Sequence, residues 1–186
     1  MIKSSQDWHN EGKALLEAKK WKESIECFDK AISSDPDSAS TYNLKGLANK
    51  NLGKFNEALE SYQKALSVDP NLVSVHNNAG NVLRQLGRNE EALGHFNKAI
   101  ALNPKAIQPH NNKGLAFRDL GRNEEAIKCY NKAIELNPYY NLAYNNKGTF
   151  LYESGKLEEA LEHYEKAISL EPNFADVYYN KARASN

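Results

Sequence analysis

Residues 123–137, NEEAIKCYNKAIELN, place apolar side chains at helical spacing and polar side chains between them. Two acidic residues, Glu124 and Glu125, fall in the first turn, where they complement the partial positive charge of a helix N-terminus. The pattern stops before Pro138, because proline cannot continue a helix and disfavours helical geometry in the residue before it. The segment is therefore predicted to be an amphipathic α-helix.

This pattern belongs to a repeat of 34 residues that several columns define. The proline column is Pro36, Pro70, Pro104, Pro138 and Pro172. The glycine column is Gly12, Gly46, Gly80, Gly114 and Gly148. The alanine column is Ala31, Ala65, Ala99, Ala133 and Ala167, and the aromatic column is Phe28, Tyr62, Phe96, Tyr130 and Tyr164. The period predicts five repeats, 5–38, 39–72, 73–106, 107–140 and 141–174, with residues 175–186 as a partial sixth repeat or C-terminal capping helix.

Each repeat is predicted to contain two helices joined by a short turn. The first helix ends near Gly53, Gly87, Gly121 or Gly155, and glycine readily adopts the left-handed backbone that a helix C-terminus needs. Repeat 1 has Lys19 at this position, so we expect its turn to be the least regular.

The glycine column indicates close helix packing, since a mid-helix glycine costs about 1 kcal/mol relative to alanine. We expect a second column of small residues to face it and the aromatic column to fill the gap between repeats. The facing residues are Ala58, Ala92, Ala126 and Ala160, with Ser24 in repeat 1. A single helix pair cannot bury its own apolar face, so the repeats are expected to stack on their neighbours.

These columns resemble the tetratricopeptide repeat (TPR) family, whose unit has an aromatic residue at position 4, Leu-Gly at 7 and 8, Tyr at 11, Ala at 20, an aromatic at 24, Ala at 27 and Pro at 32. Position 4 here is Trp8, Tyr42, His76, His110, Tyr144 and Tyr178. Position 7 departs from the family pattern, being Lys in most repeats, and position 11 of repeat 2 is Asn49. The resemblance covers residues 5–186 and implies an all-α, right-handed superhelical solenoid of antiparallel helix pairs, with the first helices on the concave face.

Positions 2, 5, 6, 9, 12 and 13 of the first helix share one arc at 100° per residue, so they predict the surface of the concave groove. Asparagine dominates this arc, with Leu44 as the exception at position 6. The predicted peptide-binding asparagines are Asn10, Asn78, Asn112, Asn146 and Asn180 at position 6, Asn43, Asn77, Asn111 and Asn145 at position 5, and Asn81 at position 9. An amide donates and accepts hydrogen bonds, so such a column suits a peptide backbone. It is similar to the asparagine ladder of O-linked GlcNAc transferases, although bonding within the helix pair is an equally good interpretation.

A row of basic residues crosses the same arc at position 12, where Lys50, Arg84 and Arg118 follow one another. Charge-assisted hydrogen bonds would favour acidic side chains or a terminal carboxylate there. Glu17, Asp119 and Glu153 at position 13 partly neutralise this row. The alternative is a solvated face with ion pairs between residues four apart on one helix. A carboxylate clamp like that of TPR co-chaperones is excluded, because the clamp needs Lys at position 5 and Arg at position 6, and no repeat has either.

The histidines and cysteines do not predict a metal or catalytic site. His76 and His110 occupy the aromatic position 4, where packing is the preferred interpretation. Position 23 holds Cys27, Ser61, His95, Cys129 and His163. Equivalent positions in successive repeats lie at least about 8–10 Å apart, whereas metal ligands lie about 2–2.3 Å from one ion. Phosphate-binding loops and nucleophile motifs do not occur in the sequence, so we predict no enzyme activity, no cofactor and no metal.

Composition narrows the partners. Lys plus Arg equals Asp plus Glu, 24 against 24, whereas nucleic-acid binding needs a clustered basic surplus. The sequence shows neither an apolar run of membrane-spanning length nor a secretory signal, so we expect a cytoplasmic protein without nucleic-acid or membrane partners. The leading hypothesis is a scaffold or adaptor that binds an extended or helical peptide. The alternatives are the substrate-recognition arm of a larger enzyme, such as a glycosyltransferase, and a segment that forms a homodimer through its terminal repeats.

Overall fold

The computed structural model describes residues 3–185, whose regular secondary structure is entirely α-helical. The helices are α1 Ser5–Glu17, α2 Trp21–Ser34, α3 Ala39–Asn51, α4 Phe55–Val68, α5 Val73–Gln85, α6 Asn89–Leu102, α7 Ile107–Asp119, α8 Asn123–Leu136, α9 Asn141–Glu153, α10 Leu157–Leu170 and α11 Ala175–Ala184. The predicted all-α class is confirmed. None of these helices has the length and apolar content needed to cross a bilayer.

The helices form two compact units, and the boundary lies between Leu102 and Asn103. The first unit contains α1 to α6, and the second contains α7 to α11. Within each unit the helices pair as hairpins, such as α1 with α2 and α7 with α8, and each hairpin packs on the next through contacts such as α2 with α3 and α8 with α9. Neighbouring first helices also touch, α3 with α1 and α5, and α9 with α7 and α11. Each unit is thus a stack of helix pairs.

The turn between the two helices of a repeat has the same form in repeat 1 as in the others. The four turn glycines have φ between 71° and 76°, and Lys19 has φ 59°. The Lys19 N–H donates to the Leu16 carbonyl at 3.0 Å, as Gly53 does to Lys50 at 3.0 Å. The expectation that the first turn is the least regular is therefore wrong. The backbone hydrogen bonds hold a lysine in the left-handed region, which L side chains disfavour.

The core of each repeat is an aromatic ring packed against a mid-helix glycine of the same repeat. A Cβ built on Gly46 would lie 2.5 Å from Tyr62 Cε1, and one built on Gly80 would lie 2.6 Å from Phe96 Cε1. The glycine column does mark a close approach, and its nearest neighbour is the aromatic column. The expected alanine column is close as well at Gly148, where the Ala160 carbonyl oxygen lies 3.3 Å from an added Cβ. The ring is also fully buried, and Tyr62 of repeat 2 belongs to one cluster with Val75, Ala79 and Val82 of repeat 3. At this junction the aromatic column therefore fills the gap between repeats, as predicted.

Candidate functional site

Asparagine side chains connect the first helices of successive repeats within each unit. At position 6 the amide is half-buried, and its Nδ2 donates to Oδ1 of the position-5 asparagine in the preceding repeat. The pairs are Asn78 with Asn43 at 3.2 Å, Asn146 with Asn111 at 2.9 Å, and Asn180 with Asn145 at 3.0 Å. These bonds fix the orientation of the position-6 amide, because one end of it is held by the neighbouring helix.

The other end of these amides is available. Among residues 3–185, no side chain or backbone group bonds to Oδ1 of Asn78, Asn146 or Asn180. A carbonyl oxygen in this state accepts hydrogen bonds from N–H or O–H groups. In the second unit α9 and α11 thus present two oriented amides, Asn146 and Asn180. Together with Asn112 on α7 we call them the asparagine row (Asn112, Asn146 and Asn180).

Position 5 differs from the expectation that it lines the groove surface. Asn77, Asn111 and Asn145 are buried, with relative exposures of 8%, 2% and 8%. The side chains of Asn111 and Asn145 lie between neighbouring first helices, because they supply the acceptors that the next repeat uses. Asn43 is half-buried and does the same for Asn78. Position 5 therefore lies beneath the position-6 amides and holds them by accepting their hydrogen bonds.

The remaining predicted asparagines occupy less uniform surroundings. Asn10 is exposed, and its Oδ1 accepts from Gln6 Nε2 at 2.9 Å. Asn81 is half-buried on α5. Asn112 is half-buried on α7, and its Oδ1 accepts from Asn111 Nδ2 at 3.2 Å. The three residues lie on first helices, as predicted, but Asn112 is already engaged by its neighbour.

The junction between repeats 1 and 2 lacks the asparagine pair. Leu44 occupies position 6 there and is half-buried. In its place, His9 Nδ1 lies 2.8 Å from Oγ1 of Thr41, which is at position 3 of repeat 2. Burial, and secondarily the positive charge of Lys13, lower the pKa of His9. The polar contact across this junction is thus retained with different chemistry.

The basic row is electrostatically uneven. Arg118 lies 3.7 Å from the Asp119 carboxylate and 4.0 Å from that of Glu153, so its charge is largely balanced within the second unit. The half-buried Lys50 ammonium has no ion-pair partner among residues 3–185, and burial lowers its pKa. Arg84 is half-buried on α5. Arg118 is thus partly neutralised by the acidic residues of position 13, as predicted, although neither partner lies four residues away on its own helix. Lys50 remains suited to an incoming anion.

Two histidines meet inside repeat 3. His76 on α5 and His95 on α6 have their Nδ1 atoms 3.1 Å apart, and His76 Nε2 donates to the Pro70 carbonyl at 3.0 Å. Burial and the adjacent His76 lower the pKa of His95. The sequence reasoning compared equivalent positions of successive repeats and missed this contact between positions 4 and 23 of one repeat. The available signal was that repeat 3 alone has histidine at both positions.

Residues 3–185 contain no cluster of three or more His, Cys, Asp or Glu residues able to hold a metal ion. Cys27 and Cys129 are buried free thiols, and burial raises the pKa of each. Both cysteines therefore belong to the packed interior.

Comparison with known families identifies repeats along nearly the whole chain. Models described as TPR repeat or tetratricopeptide repeat match residues 12–53 and 148–184, 37–105, 107–140, and 129–162. A search of curated proteins returned no match.

Solved structures of TPR proteins share the fold. TTC0263, a thermophilic TPR protein of Thermus thermophilus, is 21% identical with a TM-score of 0.82, and the match covers 97% of this chain and 98% of that one. YrrB, a TPR protein with an unusual peptide-binding site, is 23% identical with a TM-score of 0.70 and coverages of 95% and 91%. MamA 41-end from Desulfovibrio magneticus RS-1 is 21% identical with a TM-score of 0.79 and coverages of 94% and 98%.

The repeat columns, the helix hairpins with a ring packed on each mid-helix glycine, and the family matches agree with one another. The chain belongs to the tetratricopeptide repeat family.

Proposed function

We propose that this chain is a protein-interaction scaffold whose second unit holds an extended segment of a partner protein against α7, α9 and α11. The observation that carries the proposal is the orientation of Asn146 and Asn180. Each donates its amide N–H to the preceding repeat and keeps an oxygen without a partner among residues 3–185. Oriented acceptors of this kind bind the backbone N–H groups of a peptide whatever its side chains are.

The spacing of the row also fits an extended chain. The first helices α7, α9 and α11 touch in sequence, and packed helices lie about 8–10 Å apart. An extended peptide advances about 3.3 Å per residue, so one step along the asparagine row corresponds to about three peptide residues. A segment of about seven to nine residues would therefore pass all three asparagines.

The basic residues are proposed to add a preference for acidic side chains in the bound peptide. In the first unit the Lys50 ammonium has no ionic partner among the described residues, so an acidic peptide side chain is favoured there. Arg118 in the second unit already pairs with Asp119 and Glu153 and contributes less. The second unit is thus proposed to bind backbone with little sequence preference, and the first to favour acidic segments.

The proposal is tested by selecting binders from a random peptide library displayed on phage and measuring their affinity by fluorescence anisotropy. Replacing both Asn146 and Asn180 by Ala removes two backbone acceptors, each contributing about 0.5–1.5 kcal/mol, so affinity should fall by about 5- to 150-fold. Circular dichroism should show unchanged helicity.

Two matched variants separate binding from structure. Asn111→Ala removes the same contact between repeats but leaves the Asn146 side chain in place, and it should change affinity much less than the double substitution. Asn131→Ala alters an exposed asparagine on α8 and should have no effect. A library that yields no binder, or binders equally tight for the double variant, would contradict the proposal.

A further inference from the structure

We propose that His76 and His95 form an open binding site for a divalent transition-metal ion within repeat 3. Their Nδ1 atoms lie 3.1 Å apart, one on α5 and one on α6. Two imidazole nitrogens bound to one tetrahedral ion at about 2.0–2.1 Å are about 3.3–3.4 Å apart. An ion could therefore bridge the pair after the two nitrogens move apart by a few tenths of an ångström and each ring tilts so that its lone pair points at the ion and not at the other nitrogen.

The hydrogen bond at the far side of His76 prepares it as a ligand. A carbonyl oxygen only accepts, so the contact of 3.0 Å from His76 Nε2 to Pro70 places the proton on Nε2. Neutral His76 then has a lone pair on Nδ1, which accepts from His95 Nδ1–H. To bind the ion as well, His95 must take its other neutral tautomer, in which the proton is on Nε2 and the Nδ1 lone pair is free. Metal-binding histidines generally donate their other N–H to a carbonyl or carboxylate in this way, which fixes the tautomer and the ring orientation.

There is room for the other ligands of the ion on the His95 side of the pair. His95 lines a cleft of about 670 Å³ formed by α4, α5 and α6, together with polar side chains such as Gln63. Glu91 lies one turn before His95, but Arg88 holds both of its carboxylate oxygens at 2.7 Å. Because no third protein ligand is in place among residues 3–185, water is expected to complete the coordination.

The donor set selects the class of metal. Imidazole nitrogens favour Zn²⁺, Cu²⁺, Ni²⁺ and Co²⁺, whereas Mg²⁺ and Ca²⁺ prefer oxygen ligands. A bridging ion would fasten α5 to α6 within one helix pair and so stabilise repeat 3. The proposal does not depend on peptide binding, since these residues lie outside the asparagine row.

The chain itself supplies variants that should preserve the fold. Repeat 2 has Tyr42 and Ser61 at the two corresponding positions, so the test variants are His76→Tyr and His95→Ser. The matched control is His163→Ser, since His163 occupies the position of His95 in repeat 5 and stacks near Tyr144, with ring centroids 6.1 Å apart. This control removes a histidine from the same fold position without touching the pair.

The experiment is isothermal titration of metal-free protein with ZnCl₂, repeated with CoCl₂ to follow the ligand-field absorption. We expect one ion per chain, an affinity at least about tenfold lower in each of the two test variants, and no change in His163→Ser. Zn²⁺ should raise the melting temperature of the wild type but not of His76→Tyr, and MgCl₂ should change neither. Absence of binding at millimolar Zn²⁺, or binding that both test variants retain, would overturn the proposal.

Discussion

The two compact units of this protein share a core but present different groove chemistry. In the second unit Asn146 and Asn180 are both held by buried asparagines of the preceding repeat, and Arg118 is ion-paired. In the first unit Leu44 interrupts the asparagine column, and the Lys50 ammonium has no ionic partner among the described residues. Exchange of single residues at positions 6 and 12 therefore changes the polar groups that a first helix presents, while the ring-on-glycine core of the repeat stays the same.

The contrast extends to how the repeats are joined. Asparagine pairs connect the first helices throughout the second unit, whereas His9 and Thr41 make the first such contact in the first unit. The polar contact between repeats is thus replaceable, while the contact of ring with glycine recurs in every full repeat. This distinction separates the residues that define the fold from those that can vary.

The largest expected loss of stability comes from disturbing the ring-on-glycine contact, which both units share. Gly46→Ala in the first unit and Gly114→Ala in the second would place a Cβ 2.5 and 2.6 Å from fully buried tyrosine rings. Each should destabilise the protein by about 1–3 kcal/mol, because overpacking outweighs the gain in helix propensity. Urea unfolding measures both.

Gly94 is the matched control for these two variants. It lies inside α6 and is exposed, with nothing near its missing Cβ. Gly94→Ala should therefore stabilise the protein by about 0.5–1 kcal/mol. If Gly46→Ala and Gly114→Ala were as harmless, the ring contact would not be the common core.

The next largest effect should differ between the two units, because the asparagine that accepts from the next repeat is buried in the second unit and half-buried in the first. Asn111 is buried, accepts from Asn146 and donates to Asn112, so Asn111→Ala should cost about 1–3 kcal/mol. Asn43 is half-buried and accepts from Asn78 at 3.2 Å, so Asn43→Ala should cost about 0.5–1.5 kcal/mol. Equal losses of unfolding free energy in the two variants, measured by urea unfolding, would contradict a difference between the Asn146–Asn111 and Asn78–Asn43 pairs.

A substitution in a turn should have a smaller effect, and in the first unit it should stabilise the protein. Lys19 has φ 59° where the second unit has Gly121 with φ 71°. Because a side chain is disfavoured there, Lys19→Gly should raise the free energy of unfolding by about 1 kcal/mol. The reciprocal Gly121→Lys should lower it by a similar amount, and thermal melting compares the two. A loss of stability in Lys19→Gly would show that the lysine side chain, and not its backbone, determines this turn.

The smallest effect concerns pH. The lowered pKa of His9 means that the unfolded chain binds its proton more tightly than the folded chain, so folding becomes less favourable as pH falls through about 6.5. The junction between repeats 1 and 2 should weaken in acid, whereas an asparagine pair does not titrate. In His9→Asn, the residue that repeats 2 to 5 have at this position, the loss of stability between about pH 7.5 and 5.5 should be smaller than in the wild type. Identical pH profiles would exclude His9 as the cause.

Much of the fold is readable from the sequence because a fixed period turns residue columns into physical rows. The helix predicted over 123–137 is α8, Asn123–Leu136, and each predicted turn glycine has positive φ. Lys19 was placed at the turn correctly, but the sequence could not show that the turn keeps its hydrogen bonds with a lysine in the left-handed region.

The residues of the predicted groove were harder to assign, since periodicity shows which face of a helix a residue lies on but not how deeply its side chain is buried. Asn111 and Asn112 are adjacent in the sequence, yet only Asn111 is buried by the neighbouring helix. The pairing of His76 with His95 depends on how two helices cross within one repeat, which a repeat period does not encode.

The amides of the asparagine row are proposed to contact the backbone of a bound peptide. The most direct measurement is NMR of the side-chain NH₂ groups of ¹⁵N-labelled protein during titration with a library-selected peptide. We expect the largest shifts of the NH₂ signals at Asn146 and Asn180, and no shift at the exposed Asn131 of α8. Shifts concentrated on α8 and α10, with Asn146 and Asn180 unmoved, would contradict it.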